Sequence, residues 1–526
     1  MIVEHEPMKS SLLAGLLSLL LAVSLVTAQS QQTPYLPELL SRTEQFNRLY
    51  NQKRLAGANL APIDPLRQQS EAAFRTGSVR GMLELVGHEM AILEGKQWDE
   101  RERFFASLTL EPDRLVVEPN QDLQVSLMRM FPTNIDQALT SAPTVTFEVR
   151  PDESAASDAA KSLETPVALR PTAPIIIGER LAISQESTIA TRRLRIADGV
   201  YWVLARIESG GQTIAQLSRP IYAINDFTDR MSRLSSLVSV IRNSTDPKVK
   251  AVALQVSTPE FQLQRLRGLN SSRGERDLNA FAEIERIEHL LSSLAKGVNP
   301  LAQERGELER AYLAVDGKLK PYRVYVPLGY DAATERPLVV LLRGELGDER
   351  SYLSGQYDPA VIKGESERRG VILATVNRGE RSSYFGGGES DVLGVIEAVS
   401  RNYKIDPARV YLSGHSIGAA EAWAAASRKP EIFAAIAPVA GGAPVQGAFG
   451  PLLEKLKGMP VLLIHGARDG VSPVDNSRKA FAAAQKAGLK VEYIEMPEAD
   501  HTSVVGETFP AVMQFFERNS RKPPAK

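Results

Sequence analysis

The sequence predicts an α/β protein: a C-terminal part with a mostly parallel sheet covered by helices, preceded by helical segments and a β-sandwich-like domain. Three observations predict this class. Strand and helix patterns alternate over residues 313–520, as they do in parallel sheets. Short alternating runs separated by turn residues occupy residues 106–225, which is typical of sandwiches. Apolar residues recur at helical spacing over residues 35–105 and 228–305.

Length and composition restrict the class of protein further. The chain has 526 residues, of which 43% are hydrophobic and 24% are charged, and its net charge is −1. This length suggests about three domains, and the absence of a basic excess argues against a nucleic-acid partner. Because the chain has no cysteine, disulfides, thiolate metal sites and a cysteine nucleophile are excluded. The six histidines are scattered, so we expect neither a metal nor a cofactor.

The N-terminus has the pattern of a targeting segment. Lys9 precedes an apolar run from Ser11 to Val26, and the run ends near Ala28 at small residues. A cleaved secretory signal peptide has this pattern, whereas the alternative, an uncleaved membrane anchor, needs a span of about 20 residues. We therefore expect residues 1–28 to be removed, leaving a secreted or periplasmic protein without a stable membrane anchor.

Each segment before residue 313 has its own periodicity. Residues 35–105 place Leu39, Phe46 and Leu49 at helical spacing, which predicts helices. Residues 106–225 contain strand-like runs divided by turns such as Ser209-Gly210-Gly211. The apolar stripe of residues 228–305 is interpreted as core packing, and it consists of Phe281, Ile284, Ile287, Leu291 and Leu294.

From residue 313 onward the strands are predicted by continuously apolar runs, which indicate burial on both faces of a sheet. The runs lie at 322–326, 337–342, 371–376, 410–412, 460–464 and 491–496. An alanine-rich helix is expected at 417–428. The alternation predicts that the strands lie parallel, with helices on both faces.

A G-x-S-x-G motif lies between the strand at 410–412 and this helix. It consists of Gly414-His415-Ser416-Ile417-Gly418. In this strand–turn–helix context the motif indicates a serine nucleophile on a strained turn, where glycine neighbours leave room for the serine to project. We predict Ser416 as the nucleophile. The backbone N–H of Ile417, at the helix N-terminus, is predicted to stabilise the oxyanion.

A serine nucleophile needs a general base, and the base needs an acid to orient it. In this architecture the chain order is serine, acid, histidine. Two histidines, His465 and His501, lie far enough downstream of the serine. His465 ends a strand in a segment that resembles an acid-bearing loop, so the last histidine, His501, is the predicted base.

The predicted acid is Asp469, which lies in the loop just after an apolar strand. Asp475, Glu495 and Asp500 are weaker alternatives. Asp500 is disfavoured because it is adjacent to His501, and neighbouring side chains usually point apart. A turn-capping aspartate is the alternative interpretation of Asp469.

Residues 313–520 resemble the α/β-hydrolase superfamily. They are most similar to secreted esterases of the polyhydroxybutyrate depolymerase and feruloyl esterase type, with prolyl-oligopeptidase-like hydrolases close behind. The segments that carry the resemblance are RPLVVLLRG, ARVYLSGHSIGA, MPVLLIHGARDGVSP and EADHTSV. The resemblance implies Ser416 as nucleophile, Asp469 as acid and His501 as base, in agreement with the assignment from chain order.

The second oxyanion donor is expected in the loop after the early strand, at the backbone of Gly344 or Glu345. The family usually has His-Gly at the start of this loop, whereas this chain has Arg343-Gly344. The Glu345 carboxylate would oppose a nearby oxyanion unless it pairs with Arg343 or points to solvent. We therefore expect one of two outcomes. Either the oxyanion hole is modified, or the activity is reduced and the substrate carries a compensating positive charge.

The leading functional hypothesis is an exported serine hydrolase that cleaves a small-molecule or polymer ester. A serine peptidase of the prolyl-oligopeptidase type is the alternative, although residues 106–225 are too few for the β-propeller that such peptidases usually carry. A non-catalytic binding protein on the same fold is a third hypothesis, motivated by Arg343 and Glu345. The survival of all three triad residues argues against it.

Overall fold

The structure is a computed structural model that describes residues 35–139, 141–152, 174–184, 187–268, 278–345, 347–377, 388–441 and 449–521. The predicted signal peptide, residues 1–28, lies outside the described residues. The predicted α/β class is confirmed, since the structure contains mixed sheets packed with helices. None of the helices in the described ranges is long and apolar enough to cross a membrane.

Fifteen labelled helices are used below. They are α1 Leu36–Leu55, α2 Asp64–Arg75, α3 Val79–Leu93, α4 Glu100–Ser107, α5 Ile135–Ala138, α6 Phe227–Arg242, α7 Pro247–Val252, α8 Ser257–Gly268, α9 Ala280–Leu294, α10 Pro359–Arg369, α11 Gly388–Ser400, α12 Ile417–Arg428, α13 Phe449–Lys455, α14 Val474–Lys486 and α15 Ser503–Glu517. Short 3₁₀ turns lie at Ala61–Ile63, Ala253–Val256 and Pro300–Gln303.

The strands follow the same chain order. They are β1 Leu108–Pro112, β2 Val116–Val117, β3 Asp122–Arg129, β4 Thr144–Pro151, β5 Ile175–Ala182, β6 Ser187–Arg193, β7 Gly199–Ser209, β8 Gln212–Ala223, β9 Gly306–Leu313, β10 Leu319–Val326, β11 Arg336–Leu342, β12 Ile372–Val376, β13 Ile405–His415, β14 Ala435–Val439, β15 Pro460–Gly466 and β16 Lys490–Met496.

The N-terminal helices α1–α4 form a small bundle. Side-chain caps start two of them: Ser78 accepts from the backbone N–H of Gly81 at α3, and Asp99 accepts from that of Glu102 at α4. Their shared core contains Phe46 and also includes residues of the β region that follows. The bundle therefore packs on that region rather than standing apart.

Strands β1–β8 form two sheets around one core. The smaller sheet has the order β1-β3-β6 and the larger has β2-β8-β7-β4-β5. Val125 of the first sheet and Phe147 and Val203 of the second belong to one buried cluster, as expected for two sheets packed face to face. Tyr201 is buried in this core, and its hydroxyl donates to the Ala197 carbonyl oxygen.

Helices α6–α9 form a second helical layer beside the sandwich. Ile284, Ile287 and Leu291 are fully buried, in one cluster with Val116 and Tyr222 of the β region. The apolar stripe interpreted as core packing therefore packs in a core, and it joins the helical layer to the sandwich.

The C-terminal part is built on an eight-stranded sheet with the order β16-β15-β14-β13-β11-β12-β10-β9. Strands β9 and β10 pair antiparallel, as do β10 and β12, and the remaining neighbours pair parallel. The sheet begins at Gly306, before the predicted boundary at residue 313. A glycine–glutamate start with few apolar residues hides the beginning of β9 from a hydrophobicity pattern.

The apolar run in β11 is explained by its two faces. Leu338, Val340 and Leu342 enter one buried cluster, while Val339 and Leu341 enter the cluster on the opposite side of the sheet. A strand covered on both faces needs apolar side chains at every position. The order around β11, with β12 on one side and β13 on the other, makes a crevice at the carboxyl ends of the strands, where open α/β sheets bind ligands.

Candidate active site

Ser416 occupies a strained turn between β13 and α12. Its backbone has φ 57° and ψ −116°, a conformation that a residue with a side chain rarely adopts. The flanking glycines permit the turn: a Cβ at Gly414 would lie 2.1 Å from the Gly418 carbonyl oxygen, and a Cβ at Gly418 would lie 2.4 Å from the Leu342 carbonyl oxygen. The motif therefore has a steric cause in this chain.

The three residues of the predicted triad lie together at the carboxyl end of the sheet. The Ser416 Oγ is 3.0 Å from Nε2 of His501, and Nδ1 of His501 is 2.7 Å from Oδ2 of Asp469. The ring nitrogens thus bridge hydroxyl and carboxylate in the order that general-base activation of a serine requires. These distances are already within hydrogen-bond range, so no rearrangement is needed to connect the three groups.

The Asp469 carboxylate is buried and fully hydrogen-bonded. Its Oδ1 accepts from the backbone N–H groups of Val471 and Ser472 at 2.9 and 2.7 Å. Burial opposes ionisation of Asp469, but hydrogen bonds from His465 and His501 outweigh the burial and lower its pKa below the ordinary range. The group that faces His501 is therefore an anion at neutral pH.

His465 supports this carboxylate from the other side. Its Nε2 lies 3.0 Å from Oδ2 of Asp469 and 2.9 Å from the Ser472 carbonyl oxygen. Because both neighbours are acceptors, Nε2 carries the proton, and Nδ1 accepts from the Ser477 hydroxyl at 2.6 Å. From the sequence, His465 is a candidate base that is set aside because it ends a strand next to the predicted acid loop, and its contact with the acid is not predicted. Its spacing of four residues from Asp469 was the available signal.

His415, the variable residue of the motif, links two loops of the site. Its Nε2–H donates to the His501 carbonyl oxygen at 2.7 Å, and its Nδ1 accepts from the Tyr357 hydroxyl at 2.7 Å. Burial, followed by the neighbouring His501, lowers the pKa of His415 well below its ordinary value. A neutral imidazole is what this pattern of one donor and one acceptor requires. His415 therefore fixes the backbone of the residue predicted as the base.

The same chain of hydrogen bonds includes one of the predicted oxyanion donors. The Gly344 N–H donates to the Tyr357 hydroxyl at 3.3 Å, so in this structure it is directed to another partner. Tyr357 lies beyond the loop in sequence and carried no signal of this role. The backbone N–H groups of Glu345 and of Ile417, which is the first residue of α12, are the donors that remain.

Arg343 and Glu345 do not form the arrangement that would block an oxyanion. The Arg343 guanidinium donates to the backbone carbonyls of Gly344 and Glu345 at 2.9 and 2.8 Å. Residue Glu345 is exposed, which matches the expectation of a carboxylate that points to solvent. The arginine that replaces the family's histidine thus holds the loop by its carbonyl oxygens.

A cavity of about 630 Å³ adjoins Ser416 and His501. Its volume lies in the range of pockets that bind small organic ligands. The N-terminal bundle contributes apolar side chains to its wall, among them Leu39, Phe46 and Met82, and helices α8 and α9 add polar ones. Segments from both ends of the chain therefore shape the space around the nucleophile.

Glu89 of α3 is a buried carboxyl in the wall of this cavity, only 3% exposed. Burial raises its pKa to about 7, although Arg67 and the Ser70 hydroxyl act in the opposite direction. In the folded protein Glu89 therefore titrates near neutral pH, far above the pKa of a carboxyl in the unfolded chain.

We expect Glu89→Gln to stabilise the protein at alkaline pH relative to wild type. A carboxyl whose pKa is higher in the folded than in the unfolded protein stabilises the fold while it is protonated. This stabilisation is complete below the unfolded pKa and is lost as the pH rises through about 7. The free-energy difference between variant and wild type should grow by about 3 kcal/mol between pH 5 and pH 8. Urea unfolding at both pH values measures it. A difference that stays constant with pH contradicts the prediction, and Glu84→Gln, on the same helix but partly exposed, is the control.

Within the described ranges, no group of three or more histidine, aspartate or glutamate side chains is arranged to hold a metal ion.

Residues 320–449 match the family described as esterase PHB depolymerase. The match covers the segment from β10 to the start of α13 and includes the serine turn. It confirms the predicted resemblance and, with it, the prediction of a serine hydrolase of the α/β-hydrolase fold. No curated protein matches the chain.

Three hydrolases are among the solved structures that are similar to this chain. A protein assigned as dipeptidyl aminopeptidase IV from Bacteroides ovatus shares 18% identity at a TM-score of 0.35, covering 41% of this chain and 36% of its own. A ferulic acid esterase and the S-formylglutathione hydrolase of Staphylococcus aureus each share 14% identity at a TM-score of 0.35, covering 41% of this chain and 99% of theirs. The chain thus spans little more than a third of the aminopeptidase. Scores this low add nothing to the fold described above.

Proposed function

We propose that the chain is an exported serine hydrolase that cleaves carboxylic esters through an acyl-enzyme intermediate. The observation that carries the proposal is the continuous hydrogen-bonded line from Ser416 through His501 to Asp469. It lies on a strained turn at the carboxyl edge of a mostly parallel sheet, beside a cavity large enough for a small organic substrate.

The proposed mechanism assigns one proton path. His501 Nε2 takes the proton of the Ser416 hydroxyl as Oγ attacks the ester carbonyl, and the imidazolium then gives that proton to the leaving alcohol. Asp469 keeps the Nδ1–H tautomer and stabilises the cation. Water, activated by the same imidazole, releases the acid and restores the serine.

We assign the stabilisation of the developing oxyanion to the backbone N–H groups of Ile417 and Glu345. The first lies at the N-terminus of α12, where the N–H groups are not used within the helix. Each donor of this kind contributes on the order of 3 kcal/mol to the transition state in related sites. The Arg343 bonds to the loop carbonyls support the second donor by ordering the loop.

The proposed substrate is a small-molecule or polymer ester, and no nucleic-acid partner is proposed. Apolar side chains of the N-terminal bundle line one part of the cavity and support an apolar acyl or alcohol group there, whereas charged side chains line other parts of the wall. The peptidase alternative is disfavoured because the described strands between residues 106 and 225 form two sheets around one core, unlike the blades of a propeller. The proposal that the protein is exported rests on the apolar run from Ser11 to Val26, which has the pattern of a signal peptide.

Labelling with a fluorophosphonate tests the proposal on the purified full chain. Ser416 should be modified, and short p-nitrophenyl esters should be hydrolysed in preference to aminoacyl anilides. A folded protein whose Ser416 stays unlabelled supports the non-catalytic alternative instead. Faster cleavage of anilides supports the peptidase.

A further inference from the structure

Asp500, the residue before the predicted base, is the organising group of its loop. Its Oδ1 accepts from the backbone N–H groups of Thr502 and Ser503 at 3.0 and 2.7 Å. Its Oδ2 lies 2.8 Å from Nη2 of Arg67. The carboxylate therefore closes the turn that carries His501 and is itself held from outside that turn.

Arg67 comes from α2 in the N-terminal bundle. Its guanidinium lies 5.1 Å from the centre of the Tyr50 ring, which orients it from the side of α1. Burial is the largest influence and disfavours the charge of Arg67, but Asp500, Tyr50 and Glu89 together outweigh it, so the pKa of Arg67 is raised. An arginine that is partly removed from water and bonded to one carboxylate holds a defined geometry, unlike a surface ion pair.

A second contact fixes the bundle at the same place. The Asn47 side-chain amide donates to the Gln356 carbonyl oxygen at 3.2 Å. Gln356 precedes Tyr357, whose hydroxyl bonds to His415. The bundle thus contacts both arms of the hydrogen-bond network that surrounds His501.

We propose that Arg67 is a positioning residue for His501: by binding the Asp500 carboxylate, it fixes the loop that presents the imidazole to Ser416. The proposal rests on the proposed function and extends it, because it makes the N-terminal bundle part of the active site. Nothing in the resemblance, which begins after residue 313, assigns a role to the bundle.

Several charged groups face the two residues, and they determine the expected pH effect. His501 faces Asp469 from the loop after β15 and His415 from β13, and Asp500 precedes it in the chain. Removing the arginine leaves the Asp500 carboxylate without its cation, one residue from the imidazole. An uncompensated carboxylate favours the imidazolium, which cannot act as a base. The activity should then need a higher pH.

Arg67 itself faces Asp500, Tyr50 and Glu89. Because Glu89 titrates near neutral pH, it is a second source of pH dependence. Measuring each Arg67 variant also in the Glu89→Gln background separates the two, since the effect of Arg67 on Asp500 should persist there.

The experiment is the pH profile of fluorophosphonate labelling in the full chain. Arg67→Ala should slow labelling at pH 7 by on the order of 10-fold and move the pH midpoint of the rate up by about half a unit to one unit. Arg67→Lys keeps the charge, so its pH midpoint should lie close to that of the wild type. Arg103→Ala is the matched control: Arg103 pairs with Glu84 and Glu100 inside the bundle, so its profile should match wild type.

A double-mutant comparison guards against a folding defect in Arg67→Ala. Asp500→Asn keeps the Oδ1 acceptor for the turn but removes the charge, and in this background Arg67→Lys or Arg67→Ala should no longer move the midpoint. A wild-type protein that is not labelled contradicts the proposed function. If the wild type is labelled but Arg67→Ala and Arg103→Ala have the same pH midpoint of the labelling rate, the positioning role is overturned and the proposed function stands.

Discussion

Ser416→Ala is expected to abolish ester turnover and fluorophosphonate labelling while leaving the free energy of unfolding nearly unchanged. The Oγ atom supplies the attacking electron pair, and losing a serine nucleophile costs on the order of 10⁶-fold in kcat. Alanine keeps the Cβ, so the strain at φ 57° is the same in both proteins. Among the described residues, the side-chain hydrogen bond that is lost is the one to His501.

Ser413→Ala provides the matched control for this variant. Ser413 lies in β13 just before the turn, and its buried hydroxyl donates to the Ala437 carbonyl oxygen at 2.8 Å. Its loss should lower the free energy of unfolding by about 1 kcal/mol and leave turnover in place. Turnover that survives in Ser416→Ala would show that the nucleophile is another group.

Asp469→Asn is expected to lower kcat by on the order of 10⁴-fold. The Asn amide group has one acceptor where the carboxylate now receives four N–H groups, from Val471, Ser472, His465 and His501. An NH₂ facing Nδ1 would favour the tautomer with its proton on Nε2, directed at Ser416. In that tautomer the imidazole cannot take the hydroxyl proton.

Steady-state kinetics on a p-nitrophenyl ester, with circular dichroism to verify folding, measures the effect of Asp469→Asn. Asp475→Asn is the control, because Asp475 is a weaker candidate acid whose carboxylate pairs with Arg478 at the surface. The control should retain wild-type kcat. If Asp475→Asn lost activity and Asp469→Asn kept it, the assignment of the acid would be wrong.

The parts of the site that the sequence predicts are those that depend on local pattern. A buried strand, the G-x-S-x-G turn and an alanine-rich helix follow one another within residues 410–428, so the position of Ser416 needs no long-range information. The positions predicted for Asp469 and His501 rest on chain order, because strands of a parallel sheet deliver their loops to the same edge.

The parts that the sequence does not predict depend on contacts between distant residues. Gly344 is one of the predicted oxyanion donors, yet its N–H bonds to Tyr357, which also binds His415. No spacing rule connects these three residues. His465 lies four residues before Asp469, but its contact with Asp469 depends on a side-chain direction that a strand pattern does not specify.

The N-terminal bundle shows the same limit on a larger scale. The periodicity of Leu39 and Phe46 indicates a helix with one apolar face, and that face is buried in the bundle. The pattern does not reveal that the two residues also border the cavity beside Ser416. That placement follows from how the bundle packs on the rest of the chain.

The contact between Arg67 and Asp500 has a kinetic consequence. It joins residues near opposite ends of the sequence, and closing so large a loop has an entropic cost that slows formation of the contact. The serine turn, by contrast, is made of neighbours and forms with its own strand and helix. During refolding, native-like secondary structure should therefore precede full activity, and the last part of the activity should return only when Arg67 and Asp500 have met.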